Sequence, residues 1–159
     1  MVSFDLRKYG RAFLSIDIKP SDDNTMRPIY FKVDTGADHT TISKVALTRI
    51  GYDMDWIKEN AVAFEDKDKP TIADGTKVDA GYIQLPLINM LGYEGKQWPF
   101  RIIMDEDKDF RNLLGRDLLT GFNYCTNNDE KKFTIERSKE FKPEFPFLPG
   151  QEINEITSF

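Results

Sequence analysis

Two residue types that serve much of enzyme chemistry are nearly missing from this chain, which has one cysteine, Cys125, and one histidine, His39. An intramolecular disulfide is excluded, and so is a zinc site built from cysteine and histidine within one chain. Ser-His-Asp and Cys-His catalysis are excluded unless His39 supplies the base. His39 stands at a polar strand start and reads as a solvated or hydrogen-bonded side chain. Cys125 lies in the β-like run 122–126 and reads as a small buried side chain. Positive charge is short as well. Lysine and arginine number 22 against 27 aspartates and glutamates, a net charge of -5. No basic field invites nucleic acid or an anionic membrane. No apolar run is long enough to span a bilayer, and Met1 to Lys8 lacks the apolar core of a signal peptide. The reading is a soluble, cytoplasmic protein with no nucleic-acid and no membrane partner. If it is an enzyme, carboxylates are the groups left to do the work.

What is present suits one folded domain. The chain has 159 residues, 40% hydrophobic and 13% aromatic, enough for a packed core. Ala12 to Ile18 places Leu14, Ile16 and Ile18 on one face and predicts a strand. A polar loop, 19–25, joins it to a second strand, Ile29 to Val33. Ser43 can cap a short helix that Gly51 ends, and a second short helix is expected around Asp55 to Glu59. Strands are expected at 61–64, 81–88 and 98–104, with Pro86 favouring an edge or irregular position and 89–96 forming a turn. The charged run 105–109 lacks the spacing of a calcium loop and reads as solvated. Phe122 to Thr126 and Lys132 to Glu136 read as a closing hairpin. From 139 the chain is extended and interrupted by proline.

Two stretches carry chemistry. In the first, the apolar run Ile29-Tyr30-Phe31-Lys32-Val33 delivers Asp34, and a turn, Thr35-Gly36, follows at once. Gly36 is expected to permit a close backbone approach to the carboxylate. Ala37-Asp38-His39-Thr40-Thr41-Ile42 then leads into another β-favouring run. In the second, Asn112-Leu113-Leu114-Gly115-Arg116-Asp117-Leu118-Leu119 is an apolar run, a glycine and a short helix. Between them, Thr71-Ile72-Ala73-Asp74-Gly75-Thr76-Lys77-Val78 reads as a hairpin. Its tip is either Asp74-Gly75 or the charged segment Asp66 to Lys69.

In this order, the two stretches and the hairpin resemble the retropepsin-like (retroviral-type) aspartic proteases over roughly residues 11–137. The resemblance implies a mainly β fold, a single-lobe β-barrel with one or two short helices. It divides the chain into an N-terminal arm (1–10), the protease domain (11–137) and a C-terminal extension (138–159). It makes Asp34, Thr35 and Gly36 the catalytic loop. Gly36, Ala37 and Asp38 would line the substrate together with a flap formed by Ile72, Ala73, Asp74 and Gly75. Asp38 would pair with Arg116, beside Leu113, Leu114 and Gly115, and Arg11 would reach Asp38 of a second subunit.

Peptide hydrolysis of this kind needs two carboxylates sharing one proton. The chain has one such loop, so the resemblance implies a homodimer acting on peptide or protein substrates. No metal and no cofactor are called for. Ala37 withholds a hydroxyl that would favour the charged form of the pair, so activity is expected from mildly acidic to near-neutral pH. The alternative is a catalytically silent dimer of the same fold that binds peptides or acts as a scaffold.

Overall fold

The computed structural model describes residues 1–8, 10–20, 25–71, 74–105 and 111–139. In chain order the strands and helices are β1 (Val2–Asp5), β2 (Phe13–Ile18), β3 (Arg27–Val33), β4 (Thr41–Ser43), α1 (Lys44–Arg49), α2 (Met54–Asn60), β5 (Val62–Ala63), β6 (Ala80–Met90), β7 (Tyr93–Ile103), β8 (Leu113–Leu114), α3 (Arg116–Leu119), β9 (Phe122–Asn127) and β10 (Lys132–Arg137). A single 3-10 turn, Asp66–Asp68, lies between β5 and β6. Among the described residues, no helix is long and apolar enough to cross a membrane.

Seven strands run in the order β2-β3-β8-β4-β7-β6-β5, and a further pairing of β2 with β6 closes six of them into a barrel. The core fills it. Leu14, Ile16 and Ile18 alternate inward from β2, and Phe31, Ile42, Ile83, Leu85, Ile88, Phe100 and Leu114 meet them, all nearly sealed from solvent. Burial of side chains this large supplies most of the favourable folding energy. Phe31 and Phe100 sit 6.1 Å apart between ring centres, so the strand leading to Asp34 is anchored in the middle of that core.

The helices are short and locally specified. Ser43 accepts from the Ala46 N–H at 3.1 Å and opens α1, while Gly51, at φ 105, turns the chain after it. The β6–β7 connection is tighter than the composition of 89–96 suggests. Leu91 (φ 52) and Gly92 (φ 85) make a two-residue turn, and Tyr93 already pairs with Met90. The two left-handed residues match strand twist, which lets the strands pair up to the turn itself. Pro86 sits inside β6, where the register to β7 skips from Leu85–Trp98 to Leu87–Lys96. Opposite the gap Gln97 adopts φ 53, so the ladder yields where proline has no N–H to give.

A second sheet, β1-β10-β9, shares no strand pairing with the barrel but packs against the same core. The arm segment Val2–Asp5 is its outer strand, paired antiparallel with β10. Phe133 and Ile135 bury one face of this sheet, with Phe4 tilted over Phe133 at 6.3 Å. Cys125 is exposed, contrary to the sequence expectation. It shares a face with Thr134 on an edge strand whose residues 123–127 are all exposed. Alternation in a sequence shows which residues share a face but not whether that face is covered.

Candidate active site

β3 ends at Val33 and β4 begins at Thr41, and the loop between them carries Asp34. The two-residue strand β8 is wedged between those strands. Lys32 and Val33 pair in parallel with Leu113 and Leu114, and Thr41 pairs antiparallel with Leu113. The motif segments, nearly eighty residues apart, thus share one junction. Asp34 N–H donates to Leu114 O at 3.0 Å, and Val33 N–H donates to Ala12 O at 2.9 Å. Asn112 adds two ties: its carbonyl accepts from Lys32 N–H and its side chain from Ser43 N–H, both at 2.9 Å.

The Asp34 carboxylate is half-buried and accepts from Gly36 N–H at 3.0 Å. Ala37 N–H donates to Asp34 O at 3.1 Å and closes the turn. Thr35 and Gly36 are exposed and Ala37 is half-buried. Gly36 is not in the left-handed region. What it provides is room, because a Cβ there would come within 3.3 Å of Asp34 Oδ1. Asp74 and Gly75 lie in a loop closed by a bridge between Thr71 and Lys77, and Asp74 Oδ1 accepts from Thr76 N–H at 2.9 Å. Gly75, at φ 84, makes the turn there. Ile72 and Ala73 lie outside the described residues.

Behind Asp34 the two motifs lock together. The Arg116 guanidinium donates to Asp38, and this partner holds the Asp38 carboxyl below the usual range. Arg116 N–H donates to Ala37 O at 2.8 Å. Gly115 allows this closeness, since a Cβ would fall 2.5 Å from the carbonyl carbon of His39 and 2.8 Å from Thr40 N. Arg11 is exposed just ahead of β2.

The deepest tie has no counterpart among the expected site residues. Asp117 is 3% exposed. Its Oδ1 accepts from Thr40 Oγ1 at 2.6 Å, from Thr40 N–H at 2.9 Å and from Leu118 N–H at 2.8 Å. Thr40 Oγ1 in turn accepts from Gly115 N–H at 3.1 Å. Burial pushes the Asp117 carboxyl up to about 6, against the pull of the bonds from Thr40 and Leu118. The usable signal in the sequence was an acid set among Leu113, Leu114, Leu118 and Leu119, which must find donors when buried.

His39 is half-buried, and its Nδ1 lies 3.2 Å from the Tyr82 hydroxyl. Burial first, then the Arg101 charge, lower its pKa to about 4, so the ring is neutral near pH 7. Arg101 Nε donates to Thr41 Oγ1 at 2.9 Å. Among the described residues, no group of three His, Cys, Asp or Glu side chains is placed to hold a metal ion.

No family model and no curated protein matches the sequence. Solved structures do. A retropepsin-like aspartic protease from Rickettsia conorii is similar with a TM-score of 0.59 at 22% identity, covering 85% of this chain and 97% of that one. The EIAV protease, crystallised with the inhibitor HBY-793, gives a TM-score of 0.50 at 20% identity over 75% of this chain and 92% of its own. With a closed barrel, a short strand wedged beside an acid-bearing loop, and these likenesses, the chain is a single-lobe, mainly β protein of the retropepsin-like fold.

Proposed function

We propose that the chain is an aspartic endopeptidase that works as a homodimer, with Asp34 of each subunit supplying one of two catalytic carboxylates. The observation that carries this reading is the junction itself. A half-buried carboxylate leaves the end of β3, and the Leu113–Arg116 segment holds its loop from behind. An ionised member of the pair would take a proton from water, and the protonated member would polarise the scissile carbonyl. Thr35 and Gly36 complete the catalytic loop, and Gly36, Ala37 and Asp38 form the floor for substrate. The hairpin through Ile72, Ala73, Asp74 and Gly75 is the flap. Arg11 reaches Asp38 across the dimer. The domain spans 11–137, between an arm and a C-terminal extension. The lone cysteine suits a cytoplasmic setting, where disulfides are rare.

The test is Asp34→Asn, assayed for cleavage of a mixed peptide library and for peptide binding. Loss of cleavage by at least about a thousandfold, with binding kept, is the expected result. A parent protein that binds peptides but never cuts them would establish the silent, peptide-binding reading instead.

A further inference from the structure

Thr41, Arg101 and Tyr82 occupy opposed positions on β4, β7 and β6, so their side chains leave the same face of the sheet. His39 lies over one end of this row, its ring centre 5.9 Å from that of Tyr82. Phe64 meets Tyr82 edge-on at 4.8 Å, and Val78, Ala80 and Ile103 complete an apolar border. His39 belongs to the same β3–β4 loop that carries Asp34, so the row is joined to the candidate active site through that loop.

Within this row Arg101 is a cation that Asp117, Asp38 and the Tyr82 hydroxyl act on through space but with which, among the described residues, no carboxylate forms an ion pair. It is half-buried, and burial pulls its pKa down. Its Nε bonds Thr41. Among the described residues, its two terminal nitrogens make no hydrogen bond and no carboxylate stands within ion-pair distance. The nearby acids are engaged elsewhere: Asp38 with the Arg116 guanidinium, and Asp117 with Thr40 and Leu118. A desolvated charge is costly until a partner of opposite sign reaches it. The two free nitrogens of a guanidinium suit a carboxylate, which can accept both bonds side by side.

We infer that Arg101, with His39 and Tyr82 beside it, forms a subsite that takes a glutamate or aspartate side chain of the bound peptide. The subsite rests on the peptide-groove reading above and adds a substrate class to it. Neutral His39 suits the role, because a second cation at that point would raise the cost of the empty subsite.

The experiment is peptide binding by fluorescence anisotropy on the Asp34→Asn protein, so that cleavage does not intervene. Degenerate peptide libraries are compared with one position at a time fixed as Glu or as Gln. The expected result is one position at which Glu binds about tenfold more tightly than Gln, with the preference weakening as salt rises. Arg101→Met should bring the Glu-over-Gln ratio at that position to near one, and Arg101→Lys should restore only part of it. Binding with no position favouring Glu overturns the subsite and leaves the groove reading standing. A preference for Glu that survives Arg101→Met overturns the assignment to Arg101. Libraries that do not bind at all overturn the groove reading and the subsite with it. The Glu–Gln comparison on the Arg101 protein does not depend on how well any Arg101 variant folds.

Discussion

Gly115→Ala puts a methyl group where the backbone of the acid-bearing loop already stands. The new carbon would lie 2.5 Å from the carbonyl carbon of His39, 2.6 Å from its oxygen and 2.8 Å from Thr40 N. Comfortable contact begins at about 3.5 Å, so the loop must retreat by roughly 1 Å. All three atoms are backbone, and no change of rotamer relieves them. Overpacking of this kind costs about 1–3 kcal/mol. The retreat also stretches Gly115 N–H to Thr40 Oγ1, now 3.1 Å, and Arg116 N–H to Ala37 O, now 2.8 Å. Each such bond contributes about 0.5–1.5 kcal/mol. The expected loss is about 2–6 kcal/mol, a fall in Tm on the order of 10 °C for a chain of this size. Thermal melting and urea denaturation measure it, with Gly51→Ala as the comparison. Gly51 has φ +105 but nothing within 4 Å of an added Cβ, so its cost is backbone strain of about 1–2 kcal/mol. Peptide cleavage should fall about a hundredfold in the Gly115 variant, because catalysis is sensitive to displacements of this size. A Gly115→Ala protein that melts within about 3 °C of the parent, or no lower than Gly51→Ala, would refute the packing argument.

Two titratable groups, buried Asp117 and half-buried His39, should oppose each other in the dependence of stability on pH. The Asp117 carboxyl is raised to about 6 by burial, so its contribution to stability is full below about pH 4 and lost as pH rises through 6. His39 is lowered to about 4, so acidification from about 6.5 to 4 costs stability through it. The parent should therefore vary little over this range in urea denaturation. Asp117→Asn should lose stability toward pH 4, and His39→Gln should gain it; matching slopes in all three proteins would contradict the assignment. Ser43→Ala removes the acceptor for Ala46 N–H at the start of α1, and a loss of about 1 kcal/mol is expected by denaturation.

Much of this arrangement was legible in the sequence because it is local. The alternation in 13–18, the β-favouring run into Asp34 and the Leu-Leu-Gly-Arg stretch each declare their element within a few residues. Their likeness to a known family supplied the long-range order, including two loops that meet at Asp38 and Arg116. What the sequence hid depends on contacts between distant segments. Thr40 and Asp117 are 77 positions apart, and His39 and Tyr82 are 43 apart. No periodicity links such pairs; the closing of the barrel brings them together. The exposure of Cys125 was hidden for a related reason, since it depends on the second sheet leaving that face uncovered. Arg101 reads in sequence as one polar residue in an apolar strand, and only the register of β4, β7 and β6 sets it beside Thr41 and Tyr82.

The claim at the centre is that one Asp34 is half of a site. Parent and Asp34→Asn chains, refolded together in varied proportion at fixed total concentration, test it through peptide cleavage. If a working site needs an aspartate from each subunit, activity follows the square of the parent fraction, so an equal mixture retains about a quarter of the parent activity. A linear fall, with about half retained in the equal mixture, would place a complete site within one chain and contradict the account.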